Sequence, residues 1–446
     1  MHILTISSIE NIGGASSSAW NLHASYQEHG HQSWLVVGTR QSDDPNVFEI
    51  PRRESIRPWN RFWAAMEKRH SALGLRVGAS VLRELRQFWG WRNWLLYHRG
   101  RDLLHFPGTF RILSMIPETP DIIHCHNLHP HYFDFRYLPT LSRTAPLILN
   151  MRDSWIATGH CAYSLSCAKY LSGCGACPDL SIYPAIRRDG TAANWKMRRD
   201  IFRQCVVYLT APSQWQLNVG LESGIPCALS KVIPNAIRME HFCPGDRLEA
   251  RARTGIPENA KVIMYFGHHA FKDTGYIEDA LRAVRPVGGR PLLFVCIGRK
   301  DAGTVALGNG ILKSAGYIKE ESVLADFYRA ADVYVHAAKG ESFGKTVVEA
   351  MACGLPVVAT NYAGPAEIVA PEKTGLLVSP ANPDDMTRAI QRLLDAPELA
   401  DAMGCSGTRK ARSCYTLECQ VQAFLAWYEE VREDWLARKS SAKPSA

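Results

Sequence analysis

Short apolar runs alternate with segments of helical period along nearly the whole chain. In the first half Ile3–Ile6, Ser33–Val37, Asp121–Cys125, Leu147–Met151, Cys205–Leu209 and Lys231–Ile233 read as strands. A turn rich in small residues, Gly13-Gly14-Ala15-Ser16, leads from the first of them into a helix ending near Gly30. Ser213 is placed to cap a helix beginning at Gln214. After a break at Pro234-Asn235 the alternation resumes, with strands at Lys261–Phe266, Pro291–Ile297, Val333–His336, Val357–Thr360 and Gly375–Val378. Helical patterns fall between these at Tyr276–Val284, Ser322–Ala331, Gly344–Ala352 and Pro383–Leu394, and Thr416–Val431 reads as a last helix. Strands that alternate with helices predict an α/β chain with parallel sheets and ligand sites at the strands' carboxyl ends.

A length of 446 residues suits two cores of roughly 200 residues each better than one. The division expected is an N-terminal Rossmann-like domain at 1–235 and a C-terminal one at 236–412, then a helix at 413–437 and a disordered tail at 438–446. No apolar run reaches the ~18 residues of a membrane-spanning helix. Met1-His2-Ile3-Leu4 enters a strand with no basic segment ahead of it, unlike a signal peptide. The expectation is a cytoplasmic protein whose 13 cysteines are mostly reduced.

The net charge of +8 is unevenly spread. An insertion at about 51–119 carries Arg52, Arg53, Arg57, Arg61, Lys68 and Arg69 among Trp59, Trp63, Trp89, Trp91 and Trp94. Bases interleaved with tryptophan fit peripheral docking on an anionic membrane surface, at the inner face of the plasma membrane, or else a merely solvated helical face. No nucleic-acid motif accompanies them, so no nucleic-acid partner is expected.

The most specific chemistry lies at Gly340-Glu341-Ser342-Phe343-Gly344-Lys345-Thr346-Val347-Val348-Glu349, a loop running into a helix. Glu349 sits among Val348, Ala350 and Met351, and a carboxylate in apolar company needs a hydrogen-bonding partner. A ribose or sugar diol would serve, while the helix N-terminus offers free N–H groups to a phosphate. Together these suggest a nucleotide sugar. The alternative from the same residues is a plain surface ion pair between Lys345 and Glu349, four positions apart.

These residues, with Glu-Ala-Met-Ala-Cys-Gly-Leu-Pro-Val-Val at 349–358, resemble the signature of retaining glycosyltransferase family 4. Gly364-Pro365-Ala366-Glu367, Thr374-Gly375-Leu376-Leu377-Val378, Gly13-Gly14-Ala15 and Ile233-Pro234-Asn235 extend the likeness. The resemblance implies a GT-B fold, two Rossmann-like parallel-sheet domains facing a cleft, with the last helix crossing back to the N-domain. It implies that Glu341 contacts the transferred sugar and Glu349 the ribose. Phe343, Gly344, Lys345 and Thr346 would lie at the diphosphate, with Gly14 opposite them. His126, just after a strand, looks like the family's N-domain histidine near the reacting sugar, and Asp153 and Arg152 would touch the acceptor. Catalysis would need no cofactor, and the partners would be a nucleotide-sugar donor and a lipid-linked saccharide acceptor of exopolysaccharide, capsule or lipopolysaccharide assembly.

Two features depart from that pattern. The loop Gly267-His268-His269-Ala270-Phe271-Lys272 lacks the expected basic pair, leaving Lys272 and Gly267 to meet the diphosphate. A non-catalytic nucleotide-sugar-binding relative and a GT-B sugar-nucleotide epimerase therefore remain as rivals. Cys161, Cys167, Cys174 and Cys177 form a compact cluster, resembling one bacterial polysaccharide-biosynthesis branch. The spacing suits a structural zinc, with free thiols or disulfides as alternatives.

Overall fold

The computed structural model describes residues 1–10, 14–51, 66, 69, 91–128, 132–267, 274–299 and 303–441. The chain forms two compact units, one from Met1–Ala211, Leu217–Lys231 and Phe424–Ala446, the other from Pro212–Gln216 and Val232–Ala423. Most of the basic insertion, the loop holding Lys272, and Gly13 lie outside the described residues.

The first unit is built on β1 (His2–Ser7), β2 (Gln32–Val37), β3 (Val47–Glu49), β4 (Ile122–Cys125), β5 (Leu147–Asn150), β6 (Val207–Ala211) and β7 (Ser230–Val232). Their order in the sheet is β3-β2-β1-β4-β5-β6-β7, and β1 runs parallel to both β2 and β4. Ile3, Leu4 and Ile6 have no exposed surface, as expected of a strand with helices on both faces. The order reverses at β1, so a crevice opens beyond the carboxyl ends of β1 and β4. The chain leaves β1 toward the helix Gly14–Glu28 and leaves β4 directly into His126.

The second unit contains β8 (Lys261–Phe266), β9 (Leu292–Ile297), β10 (Gly303–Leu307), β11 (Gly310–Ser314), β12 (Val333–His336), β13 (Val357–Thr360) and β14 (Gly375–Val378). The order is β10-β11-β9-β8-β12-β13-β14. Val262, Met264 and Phe266 of β8 enter one core and Ile263 and Tyr265 the other, so this strand too is covered on both faces. The switch point lies between β8 and β12, whose carboxyl ends lead to Gly267 and to Glu341.

The expected fold class holds, with two differences. β10 and β11 form an antiparallel hairpin at the sheet edge, which the sequence pattern did not single out. Val305 and Ile311 there are 58% and 48% exposed, so the hairpin lacks the apolar run of a buried strand. The last helix, Leu417–Ser441, also runs further than expected, so residues 438–441 are helical rather than part of a disordered tail. Phe424, Tyr428, Val431 and Trp435, at helical spacing, are buried in the first unit, and Trp435 donates to the Ser142 carbonyl at 3.0 Å. No described helix is long and apolar enough to cross a membrane.

Candidate active site

In the second unit the loop after β12 turns into the helix Lys345–Ala352. Gly344 makes the turn with φ of +101°, a conformation that only glycine adopts without strain. A Cβ there would also come within 3.0 Å of Pro365. The first amides of this helix have no intrahelical acceptor and carry the positive end of its dipole. The candidate residues Glu341, Gly344, Lys345, Thr346 and Glu349 are thus brought together at one loop and one helix start.

Each carboxylate is held by a neighbour. Glu349 is 5% exposed, and its Oε2 accepts from the Tyr328 hydroxyl at 2.9 Å while Lys345 Nζ stands 3.7 Å from Oε1. The Lys345–Glu349 ion pair therefore exists, and Tyr328 meets the need of a buried carboxylate for a partner. Glu341 Oε2 lies 3.0 Å from Nε2 of His336, a buried ring at the end of β12. Tyr334 bridges His336 Nδ1 at 3.3 Å and donates to Thr346 Oγ1 at 2.8 Å. Burial, with Glu349 next, holds the Tyr328 hydroxyl well above its ordinary range; for Tyr334 burial is again the main cause. Both stay protonated donors at neutral pH.

Phe343 is 3% exposed and stacks edge-on with Tyr415 at 5.8 Å, so its side chain belongs to the core and not to a ligand surface. Gly267 follows β8, and a Cβ there would meet Cys296 Sγ at 2.6 Å, a packing reason for glycine. Tyr328, Tyr334 and His336 were given no role by the sequence reading. The signal for His336 was available, a polar residue closing the apolar strand that leads to Glu341.

In the first unit His126 follows β4 and lies 1% exposed, its amide bonded to the Ile6 carbonyl at 2.8 Å. It stacks on His124 with ring centroids 4.1 Å apart. Tyr428 meets His124 Nδ1 at 2.7 Å and the Tyr26 hydroxyl at 2.9 Å, and the Asn150 amide nitrogen meets His124 Nε2 at 3.2 Å. Burial drives both rings well below the ordinary histidine value of 6.5, helped at His126 by His124 and Arg152. Both are neutral at pH 7. Arg152 donates to Ser18 Oγ at 2.8 Å and stands 3.4 Å from His126 Nδ1; burial lowers it to about 10. Cys125, His126, Asn150, Arg152 and Asp153 line a small pocket of about 10 Å³, room for about one water-sized oxygen. Asp153 Oδ1 accepts from the Trp155 amide at 2.9 Å, shaping the turn after Arg152.

This turn has no regular structure, and two buried arginines of the helix Thr191–Phe202 satisfy its carbonyls. Arg198 donates to the carbonyls of Trp155 and Thr158, and pairs in a fork with Asp102 at 2.7 and 2.8 Å. Arg199 donates to Ile156 and Ala157 at 3.1 and 2.7 Å. Lost together, these arginines would leave buried carbonyls unpaired behind Arg152 and Asp153.

The cysteine cluster departs from the zinc expectation. Cys161, Cys167, Cys174 and Cys177 are free thiols, and among the described residues no group of three or more His, Cys, Asp or Glu stands where it could hold a metal ion. Cys177 Sγ lies 3.4 Å from His160 Nε2. Burial pushes the Cys161 thiol up to about 12.

The family model Glycosyltransferase Family 4 matches residues 12–241, just over half of the chain, and Glycosyl transferases group 1 matches residues 246–410. The chain is 32% identical over 230 residues to a D-inositol 3-phosphate glycosyltransferase of Geodermatophilus obscurus, covering 48% of this chain and 50% of that protein. A second D-inositol 3-phosphate glycosyltransferase, from Catenulispora acidiphila, is 34% identical over 199 residues, 41% of this chain and 46% of that one. The chain thus spans about half the length of the curated relatives it matches. Among solved structures, sucrose-phosphate synthase from Thermosynechococcus elongatus aligns over 97% of this chain and 99% of its own, with a TM-score of 0.62 and 18% identity. Anabaena HepE in complex with UDP-glucose aligns over 96% of this chain and 100% of its own, at a TM-score of 0.59 and 15% identity. Both likenesses are of fold, the GT-B arrangement of two parallel-sheet α/β domains. The chain belongs to glycosyltransferase family 4.

Proposed function

We propose that this chain is a retaining glycosyltransferase that moves a sugar from a nucleotide-sugar donor to a lipid-linked saccharide acceptor. The pathway would be exopolysaccharide, capsule or lipopolysaccharide biosynthesis, at the inner face of the plasma membrane. One observation carries the reading: a glycine turn places two partnered carboxylates, Glu341 and Glu349, beside the free amides of Lys345 and Thr346. Carboxylates suit sugar and ribose hydroxyls, and the helix start suits a diphosphate. The HepE likeness, a fold-mate crystallised with UDP-glucose, supports the donor class.

In the mechanism proposed, the nucleoside diphosphate leaves from the face the acceptor approaches, and its oxygen takes the acceptor's proton. The protein lowers the barrier by stabilising negative charge on the leaving group with the amides of 345 and 346 and with Lys345. Glu341, positioned by His336, holds the transferred sugar, and Glu349 with Lys345 receives the ribose. His126 and Asp153 meet the reacting sugar or the acceptor. Trp94 and Phe110, 42% and 47% exposed in the described part of the insertion, support contact with a membrane surface.

A second acceptor class follows from the inositol-phosphate enzymes among the relatives, a soluble phosphorylated polyol. Incubating the chain with a panel of nucleotide sugars, and either a membrane extract or inositol 3-phosphate, tests both. Transfer to lipid-extractable material supports the first acceptor, and transfer to water-soluble material the second. Donor interconversion without an acceptor, or binding without turnover, sinks the glycosyltransferase reading.

A further inference from the structure

The His126 ring has two nitrogens with very different surroundings. Nδ1 faces the Arg152 guanidinium at 3.4 Å. Nε2 is buried, with no hydrogen-bond partner among the described residues. A guanidinium has donors only, so Nδ1 must be the acceptor of that contact. A neutral imidazole has one proton, which then sits on Nε2. His124, stacked 4.1 Å away, is arranged the other way round: the Asn150 amide nitrogen faces its Nε2, and its Nδ1 meets a tyrosine hydroxyl.

We propose that Arg152 is a positioning residue that fixes His126 as the Nε2–H tautomer, so that the ring offers a hydrogen-bond donor to a ligand oxygen in the cavity it lines. Three observations support this. Arg152 is itself held, by Ser18 Oγ at 2.8 Å, so its direction is set by the first helix. The turn that carries Arg152 is braced by the buried arginines 198 and 199. The Nε2 atom of a ring 1% exposed is a donor without a protein partner among the described residues, which is costly unless a ligand oxygen, or a water that a ligand oxygen displaces, supplies one. The consequence is specific: His126 acts as a donor toward a hydroxyl or an anionic oxygen, and takes no proton from one.

The ligand half of this inference rests on the proposal that the cavity meets the reacting sugar or the acceptor, and the test separates the two halves. The full-length chain is labelled with 15N-histidine, and the His126 ring signal is identified by its loss in His126→Gln. At neutral pH the expected pattern is a protonated Nε2 and an unprotonated Nδ1. Arg152→Met is expected to give a mixture of tautomers, and Arg152→Lys, which keeps a donor, to restore the original. A wild-type ring protonated on Nδ1, or on both nitrogens, overturns the assignment. So does an unchanged pattern in Arg152→Met. Once His126→Gln has identified the signal, the wild-type pattern decides the assignment even where Arg152→Met misfolds. With UDP-glucose as donor and membrane extract as acceptor, losing this hydrogen bond should lower kcat about five- to ten-fold in His126→Ala and Arg152→Met, with KM for UDP-glucose changed less than two-fold. Full transfer by His126→Ala overturns the ligand half alone.

Discussion

The two units solve the problem of buried polar groups in opposite ways. Around Glu349 and Glu341 the second unit keeps charges and gives each a partner, Tyr328 and Lys345 for one carboxylate and His336 for the other. Around His126 the first unit keeps ionisable rings but strips their charge, through burial and the nearby Arg152. A carboxylate that stays charged is a strong acceptor for hydroxyls, whereas a neutral imidazole offers one donor whose position depends on its tautomer. Fixed charge suits a polar ligand that must be held, and a neutral donor suits an oxygen whose charge changes during a reaction.

The largest expected effect breaks this contrast with pH. His23, His124 and His126 of the first unit all titrate below 6.5 in the folded state; burial lowers His23 to about 4 despite Asp44 and Glu10 nearby. The unfolded chain therefore takes up protons first as the pH falls. Stability is complete above about 6.5 and is lost below it, at about 1.4 kcal/mol per pH unit for each histidine. Unfolding of the first unit, followed by denaturant titration at pH 7.5 and 5.5, should show a loss of roughly 4 kcal/mol. His23→Asn should remove about a third of that slope. Equal stability at the two pH values would mean that the rings are not held neutral.

The charged seat is tested by Glu341→Ala. Loss of the carboxylate is expected to reduce kcat/KM for sugar transfer about 100-fold, a little under 3 kcal/mol. His336→Gln, which keeps a polar side chain beside Glu341, should fall by less than 10-fold. Parity of Glu341→Ala with the wild type, in an assay with a donor drawn from the nucleotide-sugar panel, would remove Glu341 from the reaction.

How far each seat could be read from sequence follows the same division. Glu341, Gly344, Lys345 and Glu349 lie within nine positions, and strands such as Lys261–Phe266 and Val333–His336 have the residues at which their apolar runs predict them. Local spacing is enough for such a seat. The histidine layer joins Tyr26 to Tyr428 and His124 to Tyr428, pairs 402 and 304 positions apart. No periodicity carries such contacts, so only His126, Arg152 and Asp153 were picked out, through resemblance, and Tyr428 passed as one more aromatic of the last helix. The hairpin β10–β11 escaped for another reason: an exposed edge strand need not be apolar. The cysteine cluster is legible as a spacing, and among the described residues its thiols are not gathered into a group of three or more around one point.

Two hydroxyl deletions sharpen the comparison at a smaller scale. Tyr328→Phe leaves Glu349 Oε2 buried without its 2.9 Å donor, and Lys345 at 3.7 Å replaces it poorly. A cost of about 1–2 kcal/mol is expected, because a buried carboxylate loses a hydrogen-bond donor. Calorimetric melting of the wild type and variant reads it, and Glu349→Gln in the same background should recover part of the loss by removing the charge.

Tyr428→Phe is the neutral counterpart. It removes the hydroxyl that meets His124 Nδ1 at 2.7 Å and Tyr26 at 2.9 Å, leaving two neutral polar groups short of a partner in a dry interior. The expected cost is about 1–2 kcal/mol. Neutral orphans differ from charged ones in that deleting the second partner should repair most of the damage. The double variant Tyr428→Phe with Tyr26→Phe should therefore be less destabilised than the sum of the two single variants, by up to about 1 kcal/mol. Strict additivity in that double-mutant cycle would show that the two hydroxyls do not depend on each other, and the first unit's polar layer would then be a set of separate contacts.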